Sequence, residues 1–289
     1  MHSSNNSSDD EELLFDPVFE DVSDEFNSVQ SVLKWFENWK NKKPETYVQC
    51  YTADCIGKIM PVFIEYELLQ GLFNPLKTNF YQKIIKSDWF TKILEWSKSG
   101  ERISDKNVLN VTLLRAIIPF ITHFVESVWD VSSISESKAL VSNIYKFAFL
   151  PGFSGNQSKQ VKNLFEKIQK TIEEGVQKDG FIPPNPKNVA FHSRQCWRAV
   201  KIVESIFCFR GLLSDELVSQ LAVQQVMARS LRMGLKLTSK HDVREKILQK
   251  LHGILVGKSV CDYGGGMFMD YETDWLEKPL VQRFFKDFM

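Results

Sequence analysis

Between Phe26 and Leu76 the apolar residues fall at intervals that only helices bring together, and prolines limit where those helices start and stop. Phe26, Val29, Leu33 and Phe36 step by three and four residues, so they share one helical face, which Trp35 and Trp39 widen. Ser23 or Asp24 supplies a capping oxygen. Pro44 suits the first turn of a second helix, where its missing N–H has no partner to lose, and Tyr47, Tyr51 and Cys55 are expected to follow on one face. The pair reads as an α-hairpin. A third helix is expected from Pro61, carrying Phe63, Ile64, Leu68 and Leu69 until Asn74-Pro75 turns the chain.

The same 3.6-residue period recurs downstream, and no alternating strand pattern of useful length interrupts it. Helices are expected over roughly 24–42, 45–57, 61–72, 88–98, 107–129, 135–149, 158–178, 189–210, 214–236 and 241–256. Short connectors make neighbours antiparallel, which gives an all-α fold: an irregular array of antiparallel helical hairpins, HEAT-like in outline but without a fixed repeat length. The expected organisation is an acidic disordered tail over 1–22, a helical domain over 23–258 with two lobes divided near 155, and a C-terminal segment over 259–289. In that last segment Gly264-Gly265-Gly266 reads as a hinge, and Trp275, Leu276, Leu280, Phe284, Phe285 and Phe288 line a short helix begun near Pro279.

Composition limits the classes open to such a chain. With 289 residues and 43% hydrophobic content it can bury a sizeable core without metal or disulfide support. Five cysteines without an even framework favour a reducing compartment. No run of about eighteen uncharged apolar residues is present, so no membrane partner is expected. Residues 1–25 hold nine acids and no Lys or Arg, while 190–258 carry twelve basic residues against five acids. The acidic tail reads as a solubility device, a partner for the basic half, or a ligand for a basic protein.

Catalytic and cofactor motifs are missing from this pattern. The glycine triplet lacks the lysine and the preceding strand of a phosphate loop. Cys50 and Cys55 have no second ligand pair, so packing is preferred to zinc; His123, His192, His241 and His252 have no sequence-local partners that make a nucleophile or metal system. No catalytic, cofactor or metal residue is assigned. The candidate surface is basic: Arg194, Arg198 and Lys201 on one helix, and Arg229, Arg232 and Lys236 on another, each form a stripe that either meets phosphate or an acidic peptide or simply solvates its helix.

The order Trp39, Pro44, Tyr47, Tyr51, Pro61, Glu67-Leu68-Leu69 and Asn74-Pro75-Leu76 resembles the C-terminal domain of the GC-rich sequence DNA-binding factor-like (GCFC) family, in its Pax-binding adaptor and GC-rich factor branch. The resemblance continues through Leu113-Leu114, Pro119 and Val128-Trp129-Asp130, then Phe181-Ile182-Pro183 through Val189, and the helix containing Arg194-Gln195-Cys196-Trp197. It covers roughly residues 20 to 235, and the terminal region departs from it. Family members generally carry long charged and coiled-coil regions ahead of this domain, so the chain reads as a short paralogue, an incomplete product or a fragment. The resemblance implies a non-enzymatic nuclear scaffold in pre-mRNA splicing, at disassembly of the intron-lariat spliceosome, with a G-patch splicing factor and a DEAH-box helicase as partners. Its alternative implication is a DNA-binding or Pax-type transcriptional adaptor, although the sequence has no zinc-finger, basic-zipper or helix-turn-helix signature.

Overall fold

The computed structural model describes residues 21–99, 103–150, 153, 158–179, 189–238, 240–256 and 275–288. Among them every regular element is helical. The first, α1 (Val29–Lys42), begins later than its apolar pattern suggested. Ser28 is the cap, its Oγ accepting the Ser31 N–H at 3.2 Å, and Phe26 lies ahead of the helix. Next, α2 (Pro44–Gln49) starts on its proline as expected.

The break that follows falls at Tyr51, not at Pro61. Tyr51 adopts the left-handed conformation, φ 51°, and turns the chain into α3 (Thr52–Gln70), which runs through Pro61 without interruption. A proline inside a helix removes one hydrogen bond and crowds the carbonyl four residues back. That residue is Gly57, where an added Cβ would lie 2.9 Å from Val111 Cγ1, so the glycine lets α3 press closely on a later helix. The face expected for Tyr47, Tyr51 and Cys55 is therefore split: Tyr47 is buried and the other two are exposed.

A short helix with no counterpart in the sequence expectation, α4 (Phe80–Lys86), leads into α5 (Asp88–Ser99). Seven residues are too few for a helical period to register. The loop before α4 is fastened by Asn143 of α8 (Ile134–Ala148). Its Nδ2 donates to the Pro75 and Lys77 carbonyls at 2.8 and 2.9 Å, and its Oδ1 accepts the Tyr81 N–H at 3.4 Å. The Asn-Pro turn thus closes onto a buried amide rather than standing alone.

Through the centre runs one long rod made of α6 (Ile103–Thr112), a π turn (Leu113–Ile117) and α7 (Ile118–Ser127). Pro119 cannot donate to the Arg115 carbonyl, and one residue earlier the Ile118 N–H reaches back five residues to Leu113. By length and composition Ser104–Ser127 is apolar enough to cross a membrane, yet 67% of its most apolar window is buried inside the fold. It is a core helix, with α3 and α5 against its first half and α9 (Lys159–Asp179) against its second.

In the second half α10 (Val189–Cys208) is the hub, packed on α8, α9, α13 (His241–Leu255) and a helix that passes from α11 (Asp215–Val218) through wide π turns (Ser219–Leu231) into α12 (Arg232–Leu237). The chain closes with a single 3₁₀ turn (Trp275–Glu277) and α14 (Pro279–Lys286), the helix expected near Pro279. Trp275 is fully buried, its ring 4.9 Å from that of Phe207, and Val281 and Phe284 join the same core. The glycine triplet, the 181–188 motif and most of the joint expected near 155 lie outside the described residues.

Three tryptophans marked by sequence differ in burial. Trp129 is buried, its Nε1 donating to Ser137 Oγ at 3.2 Å, whereas Trp39 and Trp197 are only half-buried because each lies at the edge of its helix's inner face. The fully buried tryptophans are instead Trp89 and Trp275. Trp129→Ala is expected to cost about 3–5 kcal/mol and Trp39→Ala about half as much, read as shifts in the urea midpoint. Equal losses would contradict this packing.

Candidate interaction surfaces

No group of three or more His, Cys, Asp or Glu side chains placed to hold a metal ion occurs among the described residues. His192 and Cys196 sit one turn apart on α10, but both are buried. The His192 Nε2 lies 2.7 Å from the Gly234 carbonyl, and burial pushes the Cys196 thiol up, with the Thr238 hydroxyl opposing that shift. A thiol held protonated is a poor nucleophile. Cys50 and Cys55, expected to pack, are exposed. His241 faces Glu245 at 3.9 Å and His252 meets the Phe285 ring at 6.2 Å between centroids, so the two imidazoles have separate neighbours.

One buried carboxylate joins distant parts of the first half. Asp105 on α6 accepts the Tyr47 hydroxyl at 3.0 Å and the Lys40 ammonium at 3.3 Å. The same ammonium lies 5.2 Å from the Trp96 ring and 5.7 Å from Tyr47. Trp39 meets Tyr47 edge to face at 6.4 Å. These contacts explain the order of aromatics around Pro44: they hold α1, α2, α5 and α6 together. The Asp105 carboxylate and the Tyr47 hydroxyl are directed at each other, while the Lys40 side chain is about a third exposed, 31%, beside them.

The basic stripes are carried on two helices that pack together, α10 and the one ending in α12. Arg194, Arg198 and Lys201 are exposed on the first, and Arg229 and Lys236 on the second. Arg232 differs. It is half-buried, and its guanidinium pairs with Asp287 just beyond α14, so it anchors the C-terminal helix. The second stripe is accordingly interrupted at its middle.

The surface that sequence reasoning missed lies on α3. Its inner face, with Ile56, Met60, Ile64 and Leu68, is buried, yet Ile59, Val62 and Leu69 point outward and are 38%, 59% and 61% exposed. A helix apolar on both sides is normally enclosed on both. At its two ends stand the most exposed of the large apolar side chains described, Tyr51 and Leu72, and these are also the two non-glycine residues with positive φ among those described. Leu72 occupies the position where glycine usually ends a helix: the Phe73 N–H returns to the Leu68 carbonyl at 3.2 Å and the Leu72 N–H to Leu69 at 3.4 Å. Gly71 stands one residue early, because a Cβ there would run into the Phe73 ring. The signal was legible in the sequence as a second apolar stripe on one helix, hidden by the expectation of a break at Pro61.

A left-handed conformation costs a non-glycine residue about 1–2 kcal/mol. Leu72→Gly removes that strain but returns part of the gain as unfolded-chain entropy, so it is expected to stabilise the protein by about 0.5–1 kcal/mol in a denaturation curve. A destabilised variant would mean that the Leu72 side chain holds the fold after all.

Comparison with known proteins gives this architecture relatives. Over 234 residues the chain is 32% identical to the mouse protein named Intron Large complex component GCFC2, covering 75% of this chain and 30% of that protein. It is 26% identical over 240 residues to human PAX3- and PAX7-binding protein 1, covering 76% of this chain and 25% of the relative. To the Arabidopsis thaliana transcriptional repressor ILP1 it is 21% identical over 246 residues, again covering about a quarter of that protein, 26%. The chain therefore spans a third or less of the length of these relatives. No family model matches it. With 32% identity over 75% of its length to such a relative, the chain belongs to the GC-rich sequence DNA-binding factor-like family.

Proposed function

We propose that this chain is a non-enzymatic nuclear adaptor, a rigid helical scaffold that holds protein partners in a late pre-mRNA splicing complex, at the stage where the intron-lariat particle is taken apart. The observation that carries this reading is the similarity to an Intron Large complex component across three quarters of the chain, 75%. Exposed surfaces suited to partners are present: the cations of α10 and the apolar outer side of α3.

The partners proposed are a G-patch splicing factor and a DEAH-box helicase. Affinity purification of the tagged chain from nuclear extract, followed by mass spectrometry, is expected to recover both after nuclease treatment. Recovery of neither would sink the splicing reading.

A second reading, direct nucleic-acid binding in transcriptional control, draws support from the exposed cations of α10. It expects affinity for duplex DNA to fall steeply with salt, and Arg194→Ala with Arg198→Ala to reduce the salt slope by about 1 for each phosphate no longer neutralised. Unchanged affinity in that pair would remove the basis for it. Arg232 is omitted from the test because its loss would also free α14.

A further inference from the structure

We infer that the open face of α3 docks against the same face of a second copy of this chain, with the two helices antiparallel about a two-fold axis. Ile59, Val62, Tyr66 and Leu69 follow one another by three, four and three residues on the outer side of the helix. That alternation is the spacing of the seam by which two helices pair. The opposite face is already committed to α6, where Gly57 meets Val111, and the outer residues Val62 and Leu69 stay more than half exposed among the described residues.

The edge of the seam selects the occupant. Lys58 and Glu65, seven residues apart within α3 and both exposed, form a short row along one side of the seam. Read in order the row is cationic then anionic, and read in reverse it is anionic then cationic. When two copies pair antiparallel, the same edge of each faces the other. Lys58 of one copy then stands across from Glu65 of its partner, twice by symmetry. A parallel pair would set this edge against the other one, where Phe63 and Gln70 stand, and would form no ion pair. The row is thus self-complementary in one orientation, which is the requirement of an isologous contact.

Tyr51 and Leu72 stand just outside the two ends of α3, both left-handed and both exposed, so apolar surface continues beyond the helix at each end.

The test is sedimentation of the full 289-residue chain at micromolar concentration. The wild type is expected to be a reversible dimer, and Val62→Glu, in the middle of the seam and exposed, a folded monomer of unchanged helicity. Lys58→Glu and Glu65→Lys should each weaken self-association on the order of tenfold by placing like charges across the axis. Mixing the two single variants in equal amounts should restore it, because each supplies the charge the other lacks. A wild-type chain monomeric at every concentration overturns the inference, as does a dimer that survives Val62→Glu or a mixture no tighter than either variant alone.

Discussion

The central rod sets the terms for everything around it. Running from Ile103 to Ser127 with one proline-driven π turn, it is apolar on most sides and must be covered on most sides. Burial of its Leu, Ile, Val and Phe side chains contributes about 1.5–3 kcal/mol each relative to exposure. The covering helices α3, α5 and α9 are therefore arranged by the rod rather than by one another. Its proline could have broken it; a single wide turn absorbs the missing donor instead, and the direction of the helix survives.

Around the rod a few buried polar groups fix which helix goes where. Apolar burial is indifferent to register, whereas a buried carboxylate or amide without its partners costs about 1–3 kcal/mol or more. Asp105 needs both Lys40 and Tyr47, so α1 and α2 meet the start of the rod in one arrangement. Asn143 needs the Pro75 and Lys77 carbonyls, which brings α8 to the loop before α4. In the second half, Glu204 and Lys250 do the same between α10 and α13. Three side chains thereby exclude alternatives that the hydrophobic pattern alone would tolerate.

How much of this was legible in the sequence depends on the range of the signal. Long amphipathic helices such as those at 159–179 and 241–255 declare themselves, since their periodicity is local. Failures came where a local rule met a tertiary exception. Pro61 reads as a helix start, but α3 runs through it, with Gly57 four residues earlier seated against Val111. The seven residues of α4 hold only two buried side chains, Phe80 and Ile84, too few to set a period. Arg232 looks like its neighbours in a basic stripe, and only a distant partner near the end of the chain, Asp287, distinguishes it. Asp105, likewise, is one acid among 36 until Tyr47 is seen beside it. The apolar stripe of α3 was readable in principle, and the misplaced break concealed it.

The burial of Trp275 bears on how this protein is made. Phe207 on α10 and the Arg210 guanidinium both rest on that indole, with Arg210 5.6 Å from its ring. Ribosomes deliver chain at about 5–20 residues per second, N-terminal segments first. The rod and its covering helices up to α9 have all their parts early in that process. The helices gathered by α10 do not, and Phe207 must wait for its indole cover until Trp275 emerges, an interval of several seconds in which that aromatic side chain lacks its partner.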